Sequence, residues 1–232
     1  MIIKAAIKRE QSQVYLDSAE REQTRRKFYS VKVCGMRDAE NIREVEALGI
    51  DMMGFIFWPK SKRYVSECPT YLPKCKRVGV FVDEAIEQVQ RVAKDYALDI
   101  IQLHGSESPK YIRQLGSVCG DTIVTIKAFN IATIDDFAQT KPYEGFVDYF
   151  LFDAKAQLPG GNGEKFDWSV LADYHGETPF LLSGGIGLDD AERITTFHHP
   201  KCIGIDLNSR FEITPGLKDV NKLREFIKTI QQ

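Results

Sequence analysis

Eight short, β-rich apolar runs recur along this chain, beginning near Val31, Asp51, Val78, Asp99, Thr122, Val147, Pro179 and Cys202. Their spacing of roughly 20–32 residues is the length of a strand, a loop, a helix and a second loop. Helical periodicity fills the gaps. Ile42, Val45 and Leu48 follow Asp38, a candidate N-cap, and Ile86, Val89, Val92, Ala93 and Tyr96 follow Asp83. Ser108-Pro109 sets a cap before a proline at the first helical position. Val220, Leu223, Phe226, Ile227 and Ile230 form a last apolar stripe. Strands that alternate with helices imply a parallel sheet. Eight such units close an α/β fold into a single (β/α)8 TIM barrel, with an open doubly wound sheet as the alternative.

The chain has 232 residues, and one barrel domain over residues 31–232 accounts for the repeat. Residues 1–30 do not fit it. They carry Lys4, Lys8, Arg9, Arg21, Arg25, Arg26 and Lys27 with few large apolar residues, and read as a flexible or helical N-terminal extension. A net charge of −2 offers no basic surplus for nucleic acid, so no such partner is expected. No run reaches the roughly 18 apolar residues of a membrane helix, and no signal-peptide core stands at the N-terminus. Five cysteines, with no Cys-x-x-Cys pair, suggest neither a disulfide framework nor a zinc site. Four histidines form no metal-ligand motif, and His198-His199 reads as surface. A reducing cytoplasm, no metal and no cofactor are the expectations.

Functional groups of such a barrel gather at the carboxyl ends of its strands. Lys32 and Cys34 share one face of the first strand, and Gln102 and His104 share one face of the fourth. Asp153 closes the sixth strand and Asp206 the eighth. Polar groups of this kind are poor core filler, because unpartnered burial costs several kcal/mol. A thiolate and a carboxyl facing each other across a pocket are a general base and a general acid, which points to proton-shuffling isomerase chemistry. Cys34 could equally be a small buried hydrophobe, and Asp153 a helix cap or ion-pair partner. A cysteine base needs its pKa lowered, and Lys32 or the helix after Asp38 would do that.

Three glycine-bearing or polar loops follow the last strands: Pro159-Gly160-Gly161-Asn162-Gly163, Ser183-Gly184-Gly185-Ile186-Gly187 and Asp206-Leu207-Asn208-Ser209-Arg210. Glycine lets backbone amides approach an anion, and the loops after strands 7 and 8 are the usual phosphate grip of a barrel. A small phosphorylated molecule is therefore the expected partner. After strand 2, Arg63 lies on the same face, where its planar fork would hold a carboxylate.

These residues resemble phosphoribosylanthranilate isomerases. The matching stretches run in family order over about residues 31–230. They are Lys32-Val33-Cys34-Gly35, Gly54-Phe55-Ile56-Phe57 with Ser61-Lys62-Arg63-Tyr64-Val65-Ser66, and Val78-Gly79-Val80-Phe81-Val82-Asp83. Next come Gln102-Leu103-His104-Gly105, Phe152-Asp153-Ala154, and Gly160-Gly161-Asn162-Gly163 with Phe166-Asp167-Trp168. Ser183-Gly184-Gly185-Ile186 and Pro215-Gly216-Leu217-Lys218-Asp219 complete the set.

The resemblance implies an Amadori rearrangement in tryptophan biosynthesis, with Asp153 as acid and Cys34 as base. It implies Arg63 on the anthranilate carboxylate, and amides around Gly184, Gly185, Asn208 and Ser209 on the phosphate. His104, Lys127 and Asp206 are implied as further pocket groups, with no metal or redox cofactor. The sequence departs from the family at Lys62, commonly proline, at Asn208-Ser209-Arg210, commonly Ser-Ser-Gly, and in the additional residues 1–30. Another phosphosugar barrel, or a silent barrel that only binds a phosphorylated ligand, are the competing readings. Monomer and homodimer both remain open.

Overall fold

Parallel pairing in chain order closes the sheet on itself. The computed structural model describes residues 30–120, 122–154 and 168–231. The N-terminal extension and the Pro159-Gly160-Gly161-Asn162-Gly163 loop lie outside the described residues. The strands are β1 (Ser30–Cys34), β2 (Met52–Ile56), β3 (Lys76–Phe81), β4 (Ile100–Leu103), β5 (Val124–Ile131), β6 (Tyr149–Ala154), β7 (Phe180–Ser183) and β8 (Cys202–Leu207). β8 pairs with β1, Asp206 opposite Lys32, which makes a closed barrel and excludes the open sheet. A two-stranded antiparallel hairpin, β9 (Glu212–Thr214) and β10 (Leu217–Lys218), follows β8.

Five α-helices lie among the described residues: α1 (Ala39–Glu46), α2 (Ile86–Asp95), α3 (Pro109–Cys119), α4 (Ala191–Thr196) and α5 (Val220–Ile230). Asp38 and Ser108 cap α1 and α3 as expected, accepting from the N–H of Asn41 at 2.9 Å and Tyr111 at 3.2 Å. The repeat is less regular than the sequence suggests. The β2–β3 link, residues 57–75, contains no helix. Pro59, Pro69 and Pro73 interrupt it, and each removes a helical N–H. The β5–β6 and β6–β7 links carry 3-10 turns, Ile134–Tyr143 and Trp168–Asp173. Asp83 does not cap α2. Its φ is 50°, its carboxylate takes the Ser106 N–H at 2.6 Å, and Ala85, at the N-cap of α2, offers no side-chain cap.

Alternation sorts the strand side chains into two cores. Cys34, Met52, Val78, Val80, Ile100, Ile126, Ala128, Leu151 and Leu181 fill the inside of the barrel. Val33, Phe55, Phe81, Phe150, Phe152, Phe180 and Ile205 face outward into the helices. Each such phenylalanine contributes about 1.5–3 kcal/mol by leaving water. His199 belongs to this outer layer and not to plain surface. Its ring lies 5.0 Å from Phe180, it accepts from the Lys201 N–H at 3.0 Å, and burial lowers its pKa. His198 is exposed.

The N-terminal rim repeats one device. Asp51, Asp99 and Asp148, each just ahead of an even strand, accept the N–H of Val31, Arg77 and Thr125 on the preceding odd strand at 2.8, 2.9 and 2.8 Å. The strand end that would leave donors unpaired is thereby satisfied.

Candidate active site

The inward face of the strands turns polar only at the carboxyl end. Lys32 and Asp206, neighbours in register, form a buried ion pair at 2.8 Å. The Asp206 carboxylate also lies 3.4 Å from Ser183 Oγ on β7. One step higher on β1, Cys34 is buried opposite Gly54 of β2. A side chain at Gly54 would put its Cβ 2.7 Å from Cys34 Sγ, so glycine there makes room for the thiol.

The thiol does not behave as expected from sequence. Burial pushes the Cys34 pKa up, Lys32 and Lys218 pull it down, and Asp206 pushes it up again; the net shift is upward. Burial is the main cause, and the partner of Lys32 adds to it. Burial works against the Lys32 ammonium, but Asp206 and Cys34 together outweigh it and hold Lys32 above its ordinary range. A cation already paired with Asp206 can draw the thiol down only in part.

Asp153, on β6, is half-buried, and its Oδ2 is 3.9 Å from His104 Nε2 at the end of β4. Burial lowers the His104 pKa, with Lys32 and Lys127 adding to it and Asp153 opposing. A neutral imidazole is favoured. Gln102 Nε2 stands 3.1 Å from His104 Nδ1, which leaves the Nε2 side for Asp153. Gln102 Oε1 is buried without a hydrogen-bond partner.

Arg63, in the β2–β3 link, reaches the same rim. Its Cδ lies where a Cβ on Gly35 would come within 2.7 Å, so the arm rests over the residue after Cys34. Gly35 has a φ of 80°, a conformation open mainly to glycine. The fork is already engaged: Nε and Nη2 donate to Glu212 of β9 at 2.8 and 2.6 Å. Lys218 of β10 donates to the same carboxylate at 2.8 Å. Burial raises the Glu212 pKa, but Arg63, Lys218 and the Gly216 N–H overcome it and hold it at about 2.

Gly184 and Gly185 turn the chain after β7 with φ of 102° and 64°, and a Cβ built on Gly185 would meet open space. Asn208 and Ser209 open the turn after β8, where Asn208 Oδ1 accepts from Lys218 at 2.8 Å. Arg210 reaches across to the β7 loop, 3.7 Å from Asp189.

The barrel rim therefore gathers Cys34, Asp153, Arg63, His104, Asp206 and the two loops. Lys127 meets this group only through His104. It sits on the outward register of β5 and donates to Gly105 O at 2.7 Å and Ala128 O at 3.1 Å, with Glu107 3.4 Å away. It lines a side cavity of about 320 Å³ with His104, Asn130, Gln139 and Tyr143. Glu212 and the role of Lys218 were missed from sequence. The turn signal Pro215-Gly216 between Ile213 and Leu217 marks the hairpin that carries both. Among the described residues, no cluster of His, Cys, Asp or Glu could hold a metal ion, and no helix is long and apolar enough to cross a membrane.

Fold and site together define a barrel enzyme with its polar groups at the carboxyl rim. Residues 31–229 match the family of N-(5'phosphoribosyl)anthranilate (PRA) isomerases. An N-(5'-phosphoribosyl)anthranilate isomerase of Parabacteroides distasonis is 54% identical over 207 residues, 86% of this chain and 92% of that protein. The crystal structure of phosphoribosyl anthranilate isomerase from Thermotoga maritima superposes with a TM-score of 0.74 at 32% identity, covering 88% of this chain and 98% of that one. A phosphoribosyl anthranilate isomerase in complex with reduced 1-(o-carboxyphenylamino)-1-deoxyribulose 5-phosphate gives 0.72 at 30% identity, over 88% and 98% of the two chains. The chain belongs to the phosphoribosylanthranilate isomerase family, and is an isomerase.

Proposed function

We propose that this chain rearranges N-(5-phosphoribosyl)anthranilate to 1-(2-carboxyphenylamino)-1-deoxyribulose 5-phosphate, a step of tryptophan biosynthesis. The observation that carries the reading is a buried thiol and a half-buried carboxyl on β1 and β6 of a family barrel, beside a net cationic cluster.

Asp153, protonated, gives its proton to the furanose ring oxygen. The C1–O bond breaks, and the nitrogen lone pair forms a cationic C1=N bond. Cys34 takes the proton from C2, and that bonding pair forms C1=C2 while the iminium electrons return to nitrogen. The resulting enolamine becomes the ketone by proton transfer from O2 to C1. The substrate gains and loses no atom, the iminium is the electron sink, and proton exchange with water resets Cys34 and Asp153 for the next turnover. The raised thiol pKa suits this order, because a cation formed beside Cys34 favours the thiolate when it is needed. Acid–base groups of this type contribute about 10²–10⁴-fold in rate. Arg63 would take the anthranilate carboxylate, and the amides of Gly184, Gly185, Asn208 and Ser209 the phosphate. His104 and Asp206 would orient Asp153 and Lys32. The Lys127 contacts support a part in holding the loop after β4.

The test mixes phosphoribosylanthranilate, carbon-13 labelled at C2, with purified protein. Loss of anthranilate fluorescence together with a ketone resonance for C2 is expected. Binding without either change would favour the silent barrel.

A further inference from the structure

The feature that the proposed chemistry leaves unexplained is the ion network under the β9–β10 hairpin. The Glu212 side chain is 4% exposed and holds two cations, Arg63 and Lys218. The Lys218 ammonium is fully buried and donates to Glu212 Oε1 at 2.8 Å, Asn208 Oδ1 at 2.8 Å and Asn208 O at 3.3 Å. Burial lowers its pKa, yet three acceptors match the three donors of a protonated amine. Two cations on one carboxylate leave a net positive charge beside Cys34. Lys218 is buried and Arg63 only partly so, and an anionic ligand would balance that surplus.

The geometry says where the ligand would do so. Glu212 occupies the Nε and Nη2 edge of Arg63. Among the described residues Arg63 Nη1 has no hydrogen bond, and the side chain is 21% exposed, so the outer edge of the fork is open. The hairpin below is braced from both sides. Asn41 of α1 donates to Lys218 O at 3.0 Å and accepts from its N–H at 2.7 Å. Arg37 donates to Pro215 O at 3.1 Å.

We propose that Glu212 is a positioning residue that takes one edge of the Arg63 fork, with Lys218 as its brace, and turns the other edge to the carboxylate of the substrate. The idea rests on the Arg63 clamp of the reading above. A free arginine would lose rotamer freedom on every binding event; a bidentate partner removes that freedom in advance. Lys218 extends the same network to Asn208, so the carboxylate and phosphate ends of the pocket share one support.

The experiment is a double-mutant cycle on kcat and KM with phosphoribosylanthranilate. It uses wild type, Arg63→Ala, Glu212→Gln and the combined variant, with Glu212→Asp as the conservative change. Glu212→Gln should raise KM by at least about tenfold with a smaller change in kcat, and Glu212→Asp should recover part of the loss. The combined variant should be no worse than Arg63→Ala alone, because Glu212 acts through Arg63. An unchanged KM in Glu212→Gln overturns the proposal. So does an equal loss in the Arg63→Ala background, the mark of a merely structural role. Should Glu212→Gln not fold, Glu212→Asp in the two backgrounds gives the same cycle. A wild type without turnover sinks the activity reading and this proposal with it; wild-type turnover with an indifferent Glu212 removes only the latter.

Discussion

The two rims of the barrel use the same residue types to opposite ends. At the N-terminal rim, Asp51, Asp99 and Asp148 each satisfy a backbone N–H of the preceding strand, and Lys76 and Arg77 sit within 4.0 Å of Asp99 at the surface. At the carboxyl rim, Lys32, Asp206, Arg63, Glu212 and Lys218 are largely buried. Charges there are desolvated, and a thiol and a carboxyl stand among them. One rim closes hydrogen bonds that the fold needs. The other buries charged groups whose desolvation is offset by their pairing, and it sets a thiol and a carboxyl among them.

The largest expected effect is at the carboxyl rim. Cys34→Ala and Asp153→Ala should each lower kcat by about 10²–10⁴-fold. Thermal unfolding should move far less than kcat, since Cys34→Ala removes one buried sulfur atom and Asp153 is partly exposed. A kcat loss below tenfold for either variant removes its assigned role.

Next is the acid limb of stability. The Glu212 pKa is depressed to about 2, so its contribution is complete above its unfolded value near 4.3 and fades as pH falls toward 2. The contribution amounts to at most about 3 kcal/mol at neutral pH. Urea unfolding of wild type should therefore lose stability across that window. Glu212→Gln should be flatter there, and curves of equal slope would count against the network.

Asp99→Asn should produce a smaller change, at the other rim. A side-chain oxygen remains to accept the Arg77 N–H, but the charge assistance is lost, and about 0.5–1.5 kcal/mol of stability should go with it. Turnover should be untouched. A fall in kcat as large as that of Cys34→Ala would end the separation of the rims.

The smallest effect concerns titration. Alkylation of Cys34 by iodoacetamide, read by peptide mass spectrometry, should need a higher pH than an ordinary thiol in the unliganded protein, because burial outweighs Lys32. Full reactivity at or below pH 7 would show the opposite sign.

The barrel was legible because its signal is periodic. Val31, Cys202 and the runs between them repeat, and eight parallel strands have one closed arrangement. The placement of Cys34 and Asp153 at the carboxyl rim was legible because polar residues at the ends of apolar strands have few structural uses. What failed was anything set by pairing across the fold. Lys32 alone suggests a lowered Cys34 pKa, but burial of the thiol outweighs it, and Asp206, 174 positions beyond Lys32, adds to the upward shift. The position of Arg63 on the rim was legible, but Glu212 lies 149 positions away and no local pattern ties the two. Lys127 differs from Ala128 by one step in register, which turns its side chain to the other face of the sheet. The missing helix after β2 was readable in Pro59, Pro69 and Pro73, but the regularity of the repeat overrode them.

The most direct measurement is the decay of anthranilate fluorescence with phosphoribosylanthranilate, run side by side for wild type, Cys34→Ala and Asp99→Asn. Rapid decay in wild type and Asp99→Asn, with Cys34→Ala slowed about a hundredfold or more, is the predicted result. Decay in Cys34→Ala within tenfold of wild type would contradict the account, since the buried thiol would then be core filler and the rims would not differ in kind.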